Sequence, residues 1–297
     1  MVPGTMAGFN PQSDFDWASV EYFQIIAEHH DLKVIKFWLY NIRIVDPKMV
    51  NIQTEKHKEG FIITLMWHAV PPTEDEPVAF RESIQSDLTD EEWKDLITPG
   101  TLLNERWKSQ VDVIAWFLKQ LQYANVPVLW RPYHEMNGDW FWWGKKKGED
   151  GYKKLWRMMY DRFVNFHGLN NLIWVFNTNE FKDNVDPHAT YYPGDDVVDI
   201  IATDVYTEGF NQVNYDQMIE LAGNKPIALG EVGQVPSLEI IKAQPRWTWF
   251  MQWGDPGGFG RGFQTYREVY NSEEVLTHDD LPWVDVKDPR IHYPVLK

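Results

Sequence analysis

Two glutamates, Glu135 and Glu231, stand in segments whose neighbours could turn a carboxyl group into a reagent. The richer segment reads Arg131-Pro132-Tyr133-His134-Glu135-Met136-Asn137-Gly138-Asp139-Trp140-Phe141-Trp142-Trp143-Gly144. It sets one carboxyl group beside a histidine, with four consecutive aromatic residues close behind. Aromatic walls keep water from a carboxylate and raise its pKa, which suits a general acid working near neutral pH. A helix cap or a surface ion pair would need no such company, and these neighbours follow neither a helical nor a strand period. A zinc-protease reading fails. That motif requires a second histidine four residues after His134, and position 138 is glycine. The second segment, Pro226-Ile227-Ala228-Leu229-Gly230-Glu231-Val232-Gly233, is an apolar run feeding a glutamate between glycines. Such glycines would permit a sharp turn and leave room for a ligand. A lone strand-end glutamate is usually a solvated cap, so the weight of Glu231 depends on a partner able to face it.

The elements that must position these residues are legible as a pattern. Short apolar runs at 5–8, 34–40, 60–67, 126–131, 172–176, 200–206, 226–229 and 247–253 alternate with helical stretches, the signature of parallel strands and crossover helices. Pro127 cannot donate to a ladder, so the fourth run begins as a strand at or after it. Trp107, Val111, Ile114, Leu118 and Leu121 recur at helical spacing, as do Tyr152, Leu155, Trp156, Met159, Phe163 and Phe166. Asp46-Pro47 reads as an N-cap and first-turn proline. Eight strand–helix units predict an α/β fold, a single (β/α)8 TIM barrel spanning 1–297, with 284–297 a tail of no assigned role. An open doubly wound sheet is the alternative, but no Gly-rich phosphate turn follows the first run. A barrel places its reactive residues at the C-terminal ends of strands. Trp67-His68, His134-Glu135, Asp204 to Tyr206, Glu231 and Trp253 all stand there. Carboxyl groups after the fourth and seventh runs could face each other across the mouth.

Composition narrows the partners. With 28 basic and 44 acidic residues the net charge is −16, a field that repels phosphodiesters and anionic lipid. Neither nucleic acid nor a membrane surface is an expected partner, whereas a neutral β-linked polysaccharide meets no penalty. The absence of cysteine excludes disulfides, zinc–thiolate sites and thiol nucleophiles. No apolar stretch approaches the length of a membrane span. The first residues do not form a signal peptide; a secreted or cell-envelope protein is nonetheless expected, with its export signal absent from this chain. Sixteen Trp, 13 Tyr and 16 Phe include several in polar, Gly-containing segments, where aromatic faces beside hydrogen-bonding groups could hold sugar rings. Most of the tryptophans are nonetheless expected in the core. No metal or cofactor is implied: Asp195-Asp196 reads as a turn rather than a calcium site, and a monomer is expected.

The stretch from Arg131 to Gly144 resembles the acid/base motif of glycoside hydrolase family 26, whose best-known members are endo-β-1,4-mannanases. The likeness continues through 152–157, 171–177, 192–196, 199–206 and 229–233, and covers most of the chain from about 60 to 283. It implies a barrel with catalytic glutamates on strands four and seven and retention of anomeric configuration. By this resemblance Glu135 is the general acid/base and Glu231 the nucleophile. Arg131, His134, Trp140 and Tyr206 line the subsite of the sugar being cleaved, with Tyr206 hydrogen-bonded to the nucleophile. His68 matches a histidine near that sugar, and a satisfied structural histidine is the competing reading. Trp253 matches the tryptophan platform beneath the sugar, with Trp247 and Trp249 as close competitors. The acidic loop 73–92 borders distal sugars or is simply solvated, and His29 and His30 are read as solvated. The implied substrate is mannan, glucomannan or galactomannan. Mixed-linkage β-glucan, β-1,3-xylan and release of mannobiose from chain ends are alternatives within the same mechanism. A non-enzymatic sugar-binding barrel is the reading outside it, opposed by the presence of both glutamates.

Overall fold

The computed structural model describes residues 47–75, 78–207, 209–253 and 262–280. Six strands lie in that range: β1 (Ile63–Trp67), β2 (Val128–Pro132), β3 (Leu172–Asn179), β4 (Ile200–Val205), β5 (Ile227–Val232) and β6 (Trp247–Gln252). They correspond to the third through eighth runs. The runs at 5–8 and 34–40, His29, His30 and the tail 284–297 fall outside the described residues.

Every neighbouring pair is parallel, and the strand order is the chain order from β1 to β6. Parallel neighbours require a crossover between them. An order that never reverses is that of a barrel wall, because an open doubly wound sheet reverses at a switch point. The described sheet is consistent with six strands of a (β/α)8 barrel. Strands β2, β4 and β5 are buried at every position, which is why their sequences run apolar without alternation.

The crossovers are helical where the periodicity placed them. α1 (Pro47–Lys58) begins at the expected proline, and the capping box of Thr89 and Glu92 opens α2 (Asp90–Leu96). α3 (Leu102–Tyr123) buries Trp107, Val111, Leu118 and Leu121 and leaves Ile114 half-buried against the core. α4 (Tyr152–Tyr160) buries Tyr152, Leu155, Trp156 and Met159. A π turn, Asp161–Phe166, follows it directly. Its wider winding rotates the chain, so Phe163 stays inside while Phe166, expected in the core, is exposed. The Phe166 ring instead lies 3.7 Å beneath the Arg162 guanidinium. α5 (Gln212–Ala222), α6 (Leu238–Ala243) and α7 (Gly262–Tyr270) complete the set. Among the described residues eight of the thirteen tryptophans are buried, a majority in the core as expected. Among the described residues no helix is long and apolar enough to cross a membrane.

Two strand ends differ from the expectation, and both differences matter to the site. The run at 172–176 continues as β3 to Asn179, and the run at 226–229 continues as β5 to Val232. Glu231 therefore lies within a strand rather than after it. Thr203 pairs with Leu229 and Asp204 with Glu231, which leaves Gly230 as the extra residue of a β-bulge. Such a bulge bends its strand and re-aims the next side chain.

Candidate active site

Beyond Pro132 the chain takes left-handed backbone at Tyr133 (φ 48°) and again at Glu135 (φ 57°). Non-glycine residues enter this region at a cost, so the surroundings must hold them there. The Glu135 N–H donates to the Asn177 carbonyl at 2.8 Å, extending the pairing with β3 past the strand end. The Tyr133 hydroxyl accepts from Trp107 Nε1 at 2.9 Å deep in the core. Trp142 donates to the Ala69 carbonyl (2.7 Å) and Trp143 to the His134 carbonyl (2.8 Å). These tryptophans are struts for the loop.

Trp140 instead turns towards the glutamate, its Nε1 donating to Glu135 Oε2 at 2.7 Å. Gly138 permits this, since a Cβ there would overlap the Trp140 ring. The other oxygen, Oε1, accepts from Asn179 Nδ2 at 2.7 Å. Asn137 fixes Asn179 in turn: its Oδ1 accepts from the Asn179 N–H (2.7 Å) and its Nδ2 donates to the Asn179 carbonyl (2.9 Å). Glu135 is buried, and that burial, followed by the negative charge of Glu231, raises its pKa to about 7.

Glu231 meets different company. Arg131 Nη2 donates to its Oε1, and the Tyr206 hydroxyl donates to its Oε2 at 2.6 Å. His134 Nε2 stands 3.9 Å from Oε1. Arg131 Nη1 also reaches both oxygens of Asp204 at 3.3 Å. Asp204 is fully buried, and burial together with the charge of Glu231 raises its pKa well above the usual range against the pull of Arg131. The glycines flanking Glu231 do not leave room for a ligand, as the sequence suggested. A Cβ on Gly230 would overlap the Asn177 amide, and one on Gly233 would crowd the Tyr206 ring. The space is already filled by side chains that shape the site.

The two histidines meet at 4.8 Å between ring centroids. Burial, then the positive charge of Arg131, lowers His68 to about 3 and holds His134 well below its ordinary value. Both are neutral imidazoles at neutral pH. The acidic loop reaches this cluster too, because Phe80 packs edge-on against His68 at 5.1 Å. Trp253 follows β6 and its N–H donates to the Val232 carbonyl at 2.8 Å, one residue from Glu231. Its competitors are occupied elsewhere: Trp247 bonds Gln244 and packs on Tyr215, and Trp249 packs against Leu129, Val175, Ile200, Ala202 and Ala228.

His134, Glu135 and Asp204 offer ligand atoms within 4.8 Å of one another. The positive charge that such a cluster calls for is supplied by Arg131, lying against Asp204 and Glu231. Asp195 and Asp196 form a short 3₁₀ turn, with Asp196 gripped by the fork of Arg157 at 2.7 and 2.9 Å. Asn179 is the site residue that sequence reasoning did not single out, and Asp204 was noted there only as a strand-end residue. Their signal was available: both are polar residues at the end of an apolar strand run.

The fold and site together define a class: a parallel β/α protein with paired buried carboxyl groups at the C-terminal end of its sheet. The family model for glycosyl hydrolase family 26 matches residues 9–288, and the chain belongs to that family. A mannan endo-1,4-beta-mannosidase of Thermothelomyces thermophilus is 38% identical over 242 residues, 77% of this chain and 48% of that protein. The chain thus spans about half the length of that relative. Among solved structures, GH26A from Muricauda sp. is 50% identical with a TM-score of 0.77, covering 79% of this chain and 78% of that one. A beta-mannanase from a symbiotic protist of the termite Reticulitermes speratus, solved with a gluco-manno-oligosaccharide, is 34% identical with a TM-score of 0.68. That match covers 79% of this chain and 72% of the other.

Proposed function

We propose that this chain is a single catalytic domain that cleaves β-1,4-mannan, glucomannan or galactomannan internally, by a retaining double displacement. Glu231 attacks the anomeric carbon while Glu135 gives its proton to the departing oxygen, leaving a glycosyl ester on Glu231. Glu135, now ionised, takes a proton from water, and that water breaks the ester. The observation that carries this reading is the opposition between the two environments. Glu135 is buried on neutral donors with its pKa raised to about 7, while Glu231 is held by a guanidinium and a phenol. In this reading Arg131, His134, Trp140 and Tyr206 line the subsite of the reacting sugar, with His68 behind them and Trp253 as its platform.

The preference for mannose rests on the neighbours and on one atom. Mannose differs from glucose by its axial 2-hydroxyl, and bonds to the 2-hydroxyl strengthen as the ring distorts towards the transition state. His134 Nδ1 is buried with no hydrogen-bond partner among the described residues, a polar atom that a sugar hydroxyl would satisfy. A site built to pair such a hydroxyl rejects the epimer that leaves it unpaired. Initial rates on a panel of defined polymers, with products resolved by chain length, test the substrate. We expect internal cleavage of mannans and little turnover of cellulose or xylan. Faster hydrolysis of mixed-linkage glucan or β-1,3-xylan than of any mannan would overturn the substrate while leaving the mechanism intact.

A further inference from the structure

One fully buried carboxylate near the site takes no part in the reaction described above. Glu180 follows β3 directly and is completely shielded from solvent. Its backbone N–H donates to the Asp204 carbonyl at 2.9 Å. Its Oε1 accepts from the Tyr206 N–H at 3.2 Å, the Thr207 N–H at 2.7 Å and the Thr207 hydroxyl at 2.8 Å. A single residue thus staples positions 204, 206 and 207, the exit of β4. A buried carboxylate is costly unless its acceptors are satisfied, so this cluster is arranged for more than filling space.

The stapled segment carries the phenol that donates to Glu231. The Tyr206 backbone is tied to Glu180, its hydroxyl reaches Glu231 Oε2 at 2.6 Å, and its ring lies flush on Gly233. On its other side Glu180 faces Lys182, whose Nζ is 3.5 Å from Oε1 and 5.8 Å from the centre of the Trp140 ring. Trp140 is one of the two donors to Glu135. Glu180 therefore stands between the support of one glutamate and the support of the other.

We infer that Glu180 is a positioning residue for the reaction, fixing Tyr206 so that its hydroxyl stays on the Glu231 carboxylate. The inference rests on the assignment of Glu231 as nucleophile. Loss of the staple lets the β4 exit shift, and misplacement of a reacting group by about 1 Å can cost on the order of 100-fold. The cost should fall on kcat with KM little changed, because the phenol–carboxylate bond serves chemistry rather than capture. The charged and titratable groups that face Glu231 are Arg131, His134, Asp204, Glu135 and Tyr206. All but Tyr206 are unchanged in the variants below.

The test is a double-mutant cycle of Glu180→Ala and Tyr206→Phe on mannan, with Glu180→Gln and Glu231→Ala measured in parallel. Each single variant should lower kcat and leave KM little changed. The double variant should lose no more than the worse single one, since both act through one bond. Glu180→Gln keeps an oxygen for the Tyr206 and Thr207 donors and should recover most of the loss. Should Glu180→Ala fail to fold, Glu180→Gln and Thr207→Val complete the cycle with Tyr206→Phe. Independent, additive losses, or losses that fall on KM rather than kcat, would overturn the inference, provided Glu231→Ala is inactive. If Glu231→Ala retains activity, the assignment of the nucleophile fails instead, and the two failures are told apart.

Discussion

Glu135 hangs from a loop with two left-handed non-glycine residues and rests on two neutral donors, whereas Glu231 lies in a paired strand and meets a guanidinium and a phenol. A bulged strand delivers its side chain along a direction fixed by the sheet, and charge compensation can be built from adjacent strands: Arg131 from β2 and Tyr206 from the end of β4. A loop can be wrapped in aromatic groups and kept dry, but its backbone must then be braced from outside. Trp142, Trp143 and Tyr133 do that bracing. Two identical side chains acquire different environments because one is desolvated beside neutral donors and the other is met by a guanidinium.

The difference breaks most completely at the strand. Glu231→Ala should lower kcat on every substrate by about 10⁴-fold or more, because no neighbouring group can form the ester. Steady-state rates on a polymer and on an activated aryl glycoside would measure it, and comparable activity on either would remove Glu231 from the nucleophile's role. Glu135→Ala should cost about 10²–10⁴-fold on polymer and much less when the leaving group is a phenol that needs no proton. Added azide should then restore turnover by attacking the ester in place of activated water. Rescue confined to the Glu231 variant would exchange the two roles.

A finer cut leaves both glutamates in place. The raised pKa of Glu135 predicts that activity falls as pH rises through about 7, as the acid loses its proton. His68 and His134, both lowered, remain neutral across this range and do not produce that limb. The Trp140 and Asn179 bonds oppose the upward shift, since they favour the ionised form. Trp140→Phe or Asn179→Ala should therefore move the basic limb of kcat/KM upwards, by at most about one pH unit each. A downward movement would mean that these donors bind the protonated acid.

Much of this site was readable in the chain because strand ends and motif residues are local features. The turn after β2 announced itself by composition, and Pro127 correctly delayed the strand to Val128. Strand length was less legible. Asn177, Thr178 and Asn179 are polar, yet they pair within β3 because the neighbouring strand supplies a ladder that no local pattern encodes. The same is true of Glu231, drawn into β5 by pairing with Asp204 across a bulge. Phe166 was misplaced for a different reason: a π turn changes the helical phase, and sequence periodicity assumes that phase constant. Asn179 and Glu180 act through partners more than twenty residues away, Glu135 for one and Tyr206 for the other. Distances of that kind are created by the fold.

The smallest effect concerns stability rather than rate, and it isolates the desolvation of Glu135 from its chemistry. Its folded pKa, about 7, lies above the ordinary value of 4.5 that it takes when unfolded. Between these values the folded chain holds a proton that the unfolded chain has released, so stability falls as pH rises. The contribution is complete below the unfolded value and is lost as pH climbs through about 7. Glu135→Gln cannot titrate, and its stability should lack this component. The difference in unfolding free energy between variant and wild type should grow in favour of the variant from about pH 4 to about pH 8, by at most about 3 kcal/mol. The amide presents a donor where one of Trp140 and Asn179 also donates, so a constant offset between the two proteins is expected at low pH. That offset does not vary with pH, so the slope of the difference reports the ionisation of Glu135 together with the upward push its charge gives Asp204. Urea unfolding across this range measures it. A difference that stays flat would mean that Glu135 titrates like an exposed carboxyl group, and the contrast with Glu231 would then lie in geometry alone.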